Sequence, residues 1–173
     1  MAELRAIGLI RDVPDFPQAG ILFKDITPVL QDPDAFDEVM DRMVEAARRV
    51  NPTSVVAIES RGFLFGAPMA LRLGLPFALV RKLGKLPCSR VSEEYALEYG
   101  TNTVEMHRDA LKPGDRAVIV DDLLATGGTA LATAQLVERL DATVAGFTFL
   151  IGLTALSGRH ALRGYDVSVL IDF

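Results

Sequence analysis

The stretch Ala117-Val118-Ile119-Val120-Asp121-Asp122-Leu123-Leu124-Ala125-Thr126-Gly127-Gly128-Thr129 constrains this chain more than any other part of it. It joins an apolar run, two adjacent acids and a turn rich in hydroxyls and glycine. Consecutive small or branched apolar residues suit a strand buried on both faces of a parallel sheet, and the apolar spacing at Leu131, Ala134 and Leu136 suits a helix after the turn. The acids then fall at the strand's carboxyl end. In open α/β sheets that edge is where ligands bind, and a Gly/Thr turn entering a helix aims backbone N–H groups and the helix dipole at an anion. A phosphate suits such a turn. The paired carboxylates repel a bare polyphosphate and suit vicinal hydroxyls, with a hard cation such as Mg²⁺ close by.

Other glycine-rich phosphate loops are excluded by spacing. No Gly-Lys-Ser/Thr ending is present, and the Gly-x-Gly-x-x-Gly dinucleotide pattern is absent. The chain has 173 residues, a length that suits one domain able to bury its own core. Charges recur too often for a membrane span, and the amino end lacks a basic segment followed by an apolar stretch, so a cytoplasmic location is expected. With one cysteine, Cys88, and two histidines, neither an internal disulfide nor a Cys/His zinc site is expected. The net charge of −5 argues against a general nucleic-acid binder. Locally, however, Arg81, Lys82, Lys85 and Arg90 form a positive segment that suits a small polyanion.

The order of elements predicts the fold class. Asp32-Pro33 reads as a cap and first-turn proline, and Phe36, Val39, Met40, Met43, Val44 and Ala47 recur at helical spacing behind it. Residues 54–58 read as a buried strand, 62–73 as a helix and 77–81 as a strand. From Lys82 to Asn102 the periodicity fades, which predicts a long connection ahead of a short strand at 103–107. A helix over about 128–140, a strand within 143–150, a short helix near 156–162 and a strand at 167–171 complete the pattern. Alternating strands and helices predict an α/β fold, with a mainly parallel sheet flanked by helices.

Ile58-Glu59-Ser60-Arg61-Gly62-Phe63 repeats the logic of the acid-rich stretch: a strand, an acid, a hydroxyl, a cation, then glycine opening a helix. N–H groups at that helix start, with Arg61, make a second anion site, and Arg suits bidentate phosphate contacts.

The acid-rich stretch resembles the 5-phosphoribosyl pyrophosphate (PRPP) signature of type I phosphoribosyltransferases. Gly20-Ile21-Leu22-Phe23-Lys24-Asp25-Ile26-Thr27-Pro28, Ser60-Arg61-Gly62-Phe63-Leu64-Phe65-Gly66, Arg81-Lys82-Leu83-Gly84-Lys85-Leu86-Pro87 and Tyr95-Ala96-Leu97-Glu98-Tyr99-Gly100 narrow the resemblance to the adenine-using members of that family. It implies the type I fold in a single domain over 1–173, with a small hood over about 1–30 and a lid loop over about 83–103. It also implies transfer of phosphoribose from PRPP to adenine, giving AMP and pyrophosphate in purine salvage by a homodimer, with Mg²⁺ carried by PRPP and water rather than bound directly by the protein.

The resemblance also assigns roles. Asp121 and Asp122 would hold the ribose hydroxyls, and Ala125, Thr126, Gly127, Gly128 and Thr129 the 5′-phosphate. Glu59, Ser60, Arg61, Arg81, Lys82, Lys85 and Tyr99 would serve pyrophosphate, in a loop that often contains a non-proline cis peptide. Leu22, Phe23, Lys24 and Leu156 would form the adenine site, and Glu98 would be the catalytic acceptor of the adenine proton. The chain departs from the family in one notable place: Ile151-Gly152-Leu153 stands where an acid usually precedes the leucine. Two other readings stay open. One is transfer to hypoxanthine, xanthine or orotate. The other is a non-catalytic PRPP-sensing regulator, which would need a basic face or an appended helix-turn-helix that this short acidic chain does not offer.

Overall fold

A computed structural model describes residues 4–96 and 100–173. Two compact units divide it, Met1–Arg42 and Met43–Phe173. The first contains α1 (Ala6–Leu9), β1 (Arg11–Pro14), β2 (Leu22–Asp25), α2 (Thr27–Gln31) and the start of α3 (Pro33–Arg49). β1 and β2 form an antiparallel pair with Arg11 opposite Asp25 and Asp12 opposite Lys24. Both rungs are ion pairs, Arg11 to Asp25 at 2.7 Å and Lys24 to Asp12 at 2.6 Å. The α3 cap expected at Asp32 is present, with its Oδ1 accepting hydrogen bonds from the Asp34 and Ala35 amides at 3.1 and 3.0 Å. Behind it, Val39, Met40, Met43, Val44 and Ala47 are all buried, as their spacing predicts.

Asp25 is the most strongly held carboxylate of the first unit. Hydrogen bonds from the Thr27 hydroxyl and amide, then from Arg11, lower its pKa to about 2. A depressed carboxyl stabilises the folded state above its unfolded pKa and loses that contribution as pH falls through the folded one. Asp25→Asn is therefore expected to cost about 1 kcal/mol at neutral pH, a figure discounted for solvent screening. The difference from the parent should vanish between about pH 4 and pH 2, as read by denaturant melts across that range.

The second unit is a seven-stranded sheet, with β3 (Ser54–Ile58), β4 (Phe77–Lys82), β5 (Arg90–Ala96), β6 (Thr101–His107), β7 (Arg116–Leu124), β8 (Thr143–Gly152) and β9 (Val167–Asp172) in the order β5-β6-β4-β3-β7-β8-β9. β4, β3, β7, β8 and β9 run parallel, while β6 pairs antiparallel with β4 and with β5. Helix α4 (Gly62–Leu73) links β3 to β4, and α5 (Gly128–Glu138) links β7 to β8. The two helices cover opposite faces. Val56, Ile58, Ala117 and Ile119 pack with Ala130, Ala134 and Leu136 of α5. On the other face, Gly66 of α4 lies so close to Ala57 and Phe77 that a Cβ there would collide with both. The chain leaves β3 toward one edge of the sheet and β7 toward the other, so the boundary between these neighbours is the topological switch point, where a crevice opens at the carboxyl ends.

Two readings of the sequence need correction. The connection expected from Lys82 to Asn102 contains a strand, β5, fully paired with β6 from Arg90–His107 to Ala96–Thr101. As an edge strand, β5 is mostly exposed, with Val91 its one fully buried residue, so its apolar signal is weak. The acids, placed at the end of their strand by sequence, lie inside β7, which runs on to Leu124 beside β8. On its other side, pairing with β3 stops at Val120, so Asp121 and Asp122 still begin the open edge.

Candidate active site

The site of the second unit is built where β3 and β7 end. Successive side chains on a strand leave opposite faces, so Asp121 and Asp122 meet different surroundings. Asp122 is 3% exposed, and its Oδ2 lies 2.9 Å from Arg61 Nε. Asp121 lines the cleft and accepts a hydrogen bond from the Asp122 amide at 2.9 Å. Asp121 is partly exposed at the cleft, whereas Asp122 behind it is buried. Burial pushes its carboxyl well above the usual range, and the neighbouring Asp122 charge pushes it further. Burial raises Asp122 too, but Arg61 opposes the rise. Two adjacent carboxyls with little solvent cannot both ionise cheaply, and the Asp122 charge adds to the rise at Asp121 while Arg61 opposes the rise at Asp122.

The approach of α4 explains Gly62. A Cβ there would sit 2.8 Å from the Val120 carbonyl oxygen and 2.9 Å from Asp121 Oδ1. Immediately before it, the Glu59–Ser60 peptide is cis, as the resemblance implies for this loop. Glu59 accepts hydrogen bonds from Arg81 Nη2 at 3.0 Å and from the Lys82 amide at 2.9 Å. The Arg81 bond leads in holding its carboxyl below the ordinary value, outweighing its burial.

Residues 125–129 form the turn into α5. Gly127 takes a left-handed conformation, φ +86°, which suits glycine and lets the chain reverse directly into the helix. A cavity of about 80 Å³ here is lined by Asp121, Leu123 and Ala125 to Thr129. A second, of about 200 Å³, is lined by Glu59, Lys82, Tyr95, Asn102, Asp121 and Thr129 among others. The two cavities have Asp121 and Thr129 in common in their walls, the 125–129 turn lining the smaller and Glu59 with Lys82 the larger, and together they border the space at the carboxyl edge of the sheet. Among the described residues, no group of three or more His, Cys, Asp or Glu side chains is arranged to hold a metal ion.

Not every predicted residue lines that space. Arg61 is engaged by Asp122, Arg81 by Glu59, and Lys85 sits exposed in the turn after β4, its carbonyl accepting from Arg81 at 3.1 Å. Leu156, 47% exposed on the 3₁₀ turn Thr154–Leu156, lines neither cavity. Leu22, Phe23 and Lys24 belong to the first unit, where Phe23 meets Phe16 edge-to-face at 5.2 Å and Lys24 pairs with Asp12. Glu98 and Tyr99 lie outside the described residues. Tyr95 and Asn102 were not singled out by sequence, yet both line the larger cavity, and the Thr129 hydroxyl donates to the Tyr95 oxygen at 3.0 Å. The only hint was Tyr95's place in the Tyr-Ala-Leu-Glu-Tyr-Gly run.

Gly152 also has a structural account. It pairs with Asp172 of β9, and a Cβ on it would lie 2.6 Å from Asp172 Oδ1. A neighbouring strand's carboxylate therefore occupies that room, held by Arg159 at 3.2 Å. Beyond it, α6 (Gly158–Ala161) packs against the turn before α5 so closely that a Cβ on Gly158 would overlap the Ala125 carbonyl oxygen and press on Leu124. Gly158→Ala is expected to cost about 2 kcal/mol of stability by displacing that turn, as denaturant melts of the variant check.

A family profile described as a phosphoribosyl transferase domain matches residues 26–172. The chain belongs to the phosphoribosyltransferase family. It is 57% identical over 164 residues to a relative from Carboxydothermus hydrogenoformans, covering 95% of this chain and 96% of that one. The crystal structure of a protein from Thermoanaerobacter pseudethanolicus superposes with a TM-score of 0.95 at 53% identity, over 97% and 98% of the two chains. One from Saccharomyces cerevisiae, complexed with an imino-altritol bisphosphate and adenine, gives 0.89 at 39% identity over 95% and 96%. All three are adenine phosphoribosyltransferases, and this chain falls within that branch of the family.

Proposed function

We propose that this protein transfers the 5-phosphoribosyl group from PRPP to adenine, forming AMP and pyrophosphate for purine salvage. The observation that supports the reading is the larger cavity, which Glu59, Lys82, Asp121 and Thr129 line together, with the 125–129 turn lining a second cavity that shares Asp121 and Thr129. In this reading, Asp121 and Asp122 accept hydrogen bonds from the ribose hydroxyls, and the turn amides with Thr129 hold the 5′-phosphate. Arg61, Lys82 and Lys85, supported by Glu59, Ser60, Arg81 and Tyr99, draw off the negative charge that develops on the departing pyrophosphate. The carboxylates stabilise the positive charge that builds on the ribose carbon as the old bond breaks ahead of the new one.

Leu22, Phe23, Lys24 and Leu156 receive adenine, the base held by the yeast relative in its crystal. Glu98 takes the imidazole proton as the ring nitrogen bonds to ribose. Two carboxylates, Glu59 and Asp121, line the larger cavity, a donor set that fits Mg²⁺ held through water and donor phosphates. When bound, the ion supplies charge neutralisation at the diphosphate. The segment at about 83–103 covers the bound donor against water, and the working form is a cytoplasmic homodimer.

Mixing the protein with PRPP, Mg²⁺ and adenine, hypoxanthine, xanthine or orotate in turn, and following nucleotide formation, tests the reading. AMP formation with adenine alone is expected. Nucleotide formation from another base in preference would move the specificity, and no pyrophosphate release with any base would remove the activity.

A further inference from the structure

Glu105 is a charged residue only 1% exposed, in the middle of β6, and no ligand-facing role uses it. Its carboxylate is fully occupied within the fold. Oε2 accepts from the Gly84 amide at 2.9 Å, while Oε1 accepts from Arg90 Nε at 2.8 Å and from the Ser92 hydroxyl at 3.2 Å. Burial pushes the carboxyl up, but these donors outweigh it and hold the group below its ordinary value, so it is an anion at neutral pH. A buried anion with three donors is costly to disturb, since each donor would lose its partner in a low-dielectric setting.

The donors show what Glu105 organises. Gly84 and Arg90 bracket the basic turn that follows β4, whose other ties are the Leu83 amide to Thr103, the Lys85 amide to Lys82, Arg81 Nη1 to the Lys85 carbonyl at 3.1 Å, Arg90 Nη1 to the Leu86 carbonyl at 3.2 Å and the Arg108 amide to the Ser89 carbonyl at 3.0 Å. Opposite Glu105 across the ladder stand Arg81 on β4 and Ser92 on β5. Arg81 in turn binds Glu59 and the Lys85 carbonyl. An alternating row of charges, Glu59, Arg81, Glu105 and Arg90, therefore runs across the end of the sheet beside the cleft.

We propose that Glu105 is a positioning residue for diphosphate recognition: by gripping Gly84 and Arg90 it fixes the turn that carries Lys85, presenting Lys82 and Lys85 to the pyrophosphate moiety in one geometry. The inference rests on the reading that this basic segment binds diphosphate. A turn held in its bound geometry binds more tightly because less order is imposed on association.

Glu105→Gln keeps the shape and removes the charge. With Mg²⁺-pyrophosphate as the calorimetric probe, its Kd is expected to rise about tenfold, with the KM for PRPP following. The Kd for ribose 5-phosphate and the KM for adenine should stay within about twofold, because the 125–129 turn and the base site do not depend on Gly84. Unchanged pyrophosphate affinity in the folded variant overturns the proposal, as does an equal loss of ribose 5-phosphate affinity, which marks general structural damage. Should Glu105→Gln fail to fold by circular dichroism, Arg90→Gln at the exposed end of the same pair is read instead, with about threefold weaker pyrophosphate binding expected and no change overturning the proposal. A parent protein that binds pyrophosphate yet makes no nucleotide would refute the transferase reading while leaving this one standing; a parent that does not bind it refutes this one.

Discussion

A protein carrying Asp121→Asn is expected to melt higher than its parent while binding PRPP about 100-fold more weakly. The two effects share one cause. Asp121 sits at the cleft beside the buried Asp122, and loss of solvent together with the neighbouring charge pushes its carboxyl well above the usual range. For such a group the sign is the reverse of the common carboxylate case: the unfolded chain releases its proton first, so the fold loses stability as pH rises above the ordinary aspartate value and on toward the raised one. Asparagine has no proton to lose and escapes that loss. The variant should match the parent near pH 4 and gain about 1 kcal/mol, or roughly 2–4 °C in Tm, by neutral pH. The donor sees the opposite change, because an amide accepts hydrogen bonds from two ribose hydroxyls far less well than a carboxylate does. Scanning calorimetry from pH 4 to 8 and titration with PRPP measure the two halves. A variant that melts no higher at neutral pH contradicts the electrostatic account, and one that binds PRPP normally removes Asp121 from the site.

Glu98→Ala should produce the largest loss of turnover, about 10²- to 10⁴-fold, with PRPP affinity largely retained. For the attacking ring nitrogen to have a free lone pair, adenine must hold its proton on the other imidazole nitrogen, and that proton has to leave as the ribosyl bond forms. A positioned carboxylate accepts it; bulk water does so poorly while the positive charge on the ribose carbon is short-lived. The expected pattern is a fall in kcat and kcat/KM together, since the interaction exists only as the proton moves. Turnover at the parent rate would take Glu98 out of the chemistry.

Much of the architecture was legible because periodicity and punctuation agreed. The buried runs at Ser54–Ile58 and Ala117–Val120, the Asp32 cap and the glycine turn before α5 each have a local cause that the fold keeps. β5 escaped because one of its faces meets solvent, and β1 with β2 because strands of four residues, half of them charged, are too short to show an alternation. The site was legible as far as chemistry sits where strands end and α5 begins: Glu59, Lys82, Asp121 and Thr129 line one cavity. Tyr95 and Glu105 escaped because their meaning lies in the pairing of β5 and β6, which brings residues distant in sequence side by side.

The pairing of Gly152 with Asp172 shows how a family's chemistry can be misread column by column. The family resemblance leads one to expect an acidic residue where this chain has Gly152. In space, a negative group arrives from the partner strand on the same rung, within 2.6 Å of where a side chain on Gly152 would begin, with an arginine to balance it. Charge at the rim of a parallel sheet belongs to the rung rather than to the strand, so two strands can trade it without the surroundings losing it.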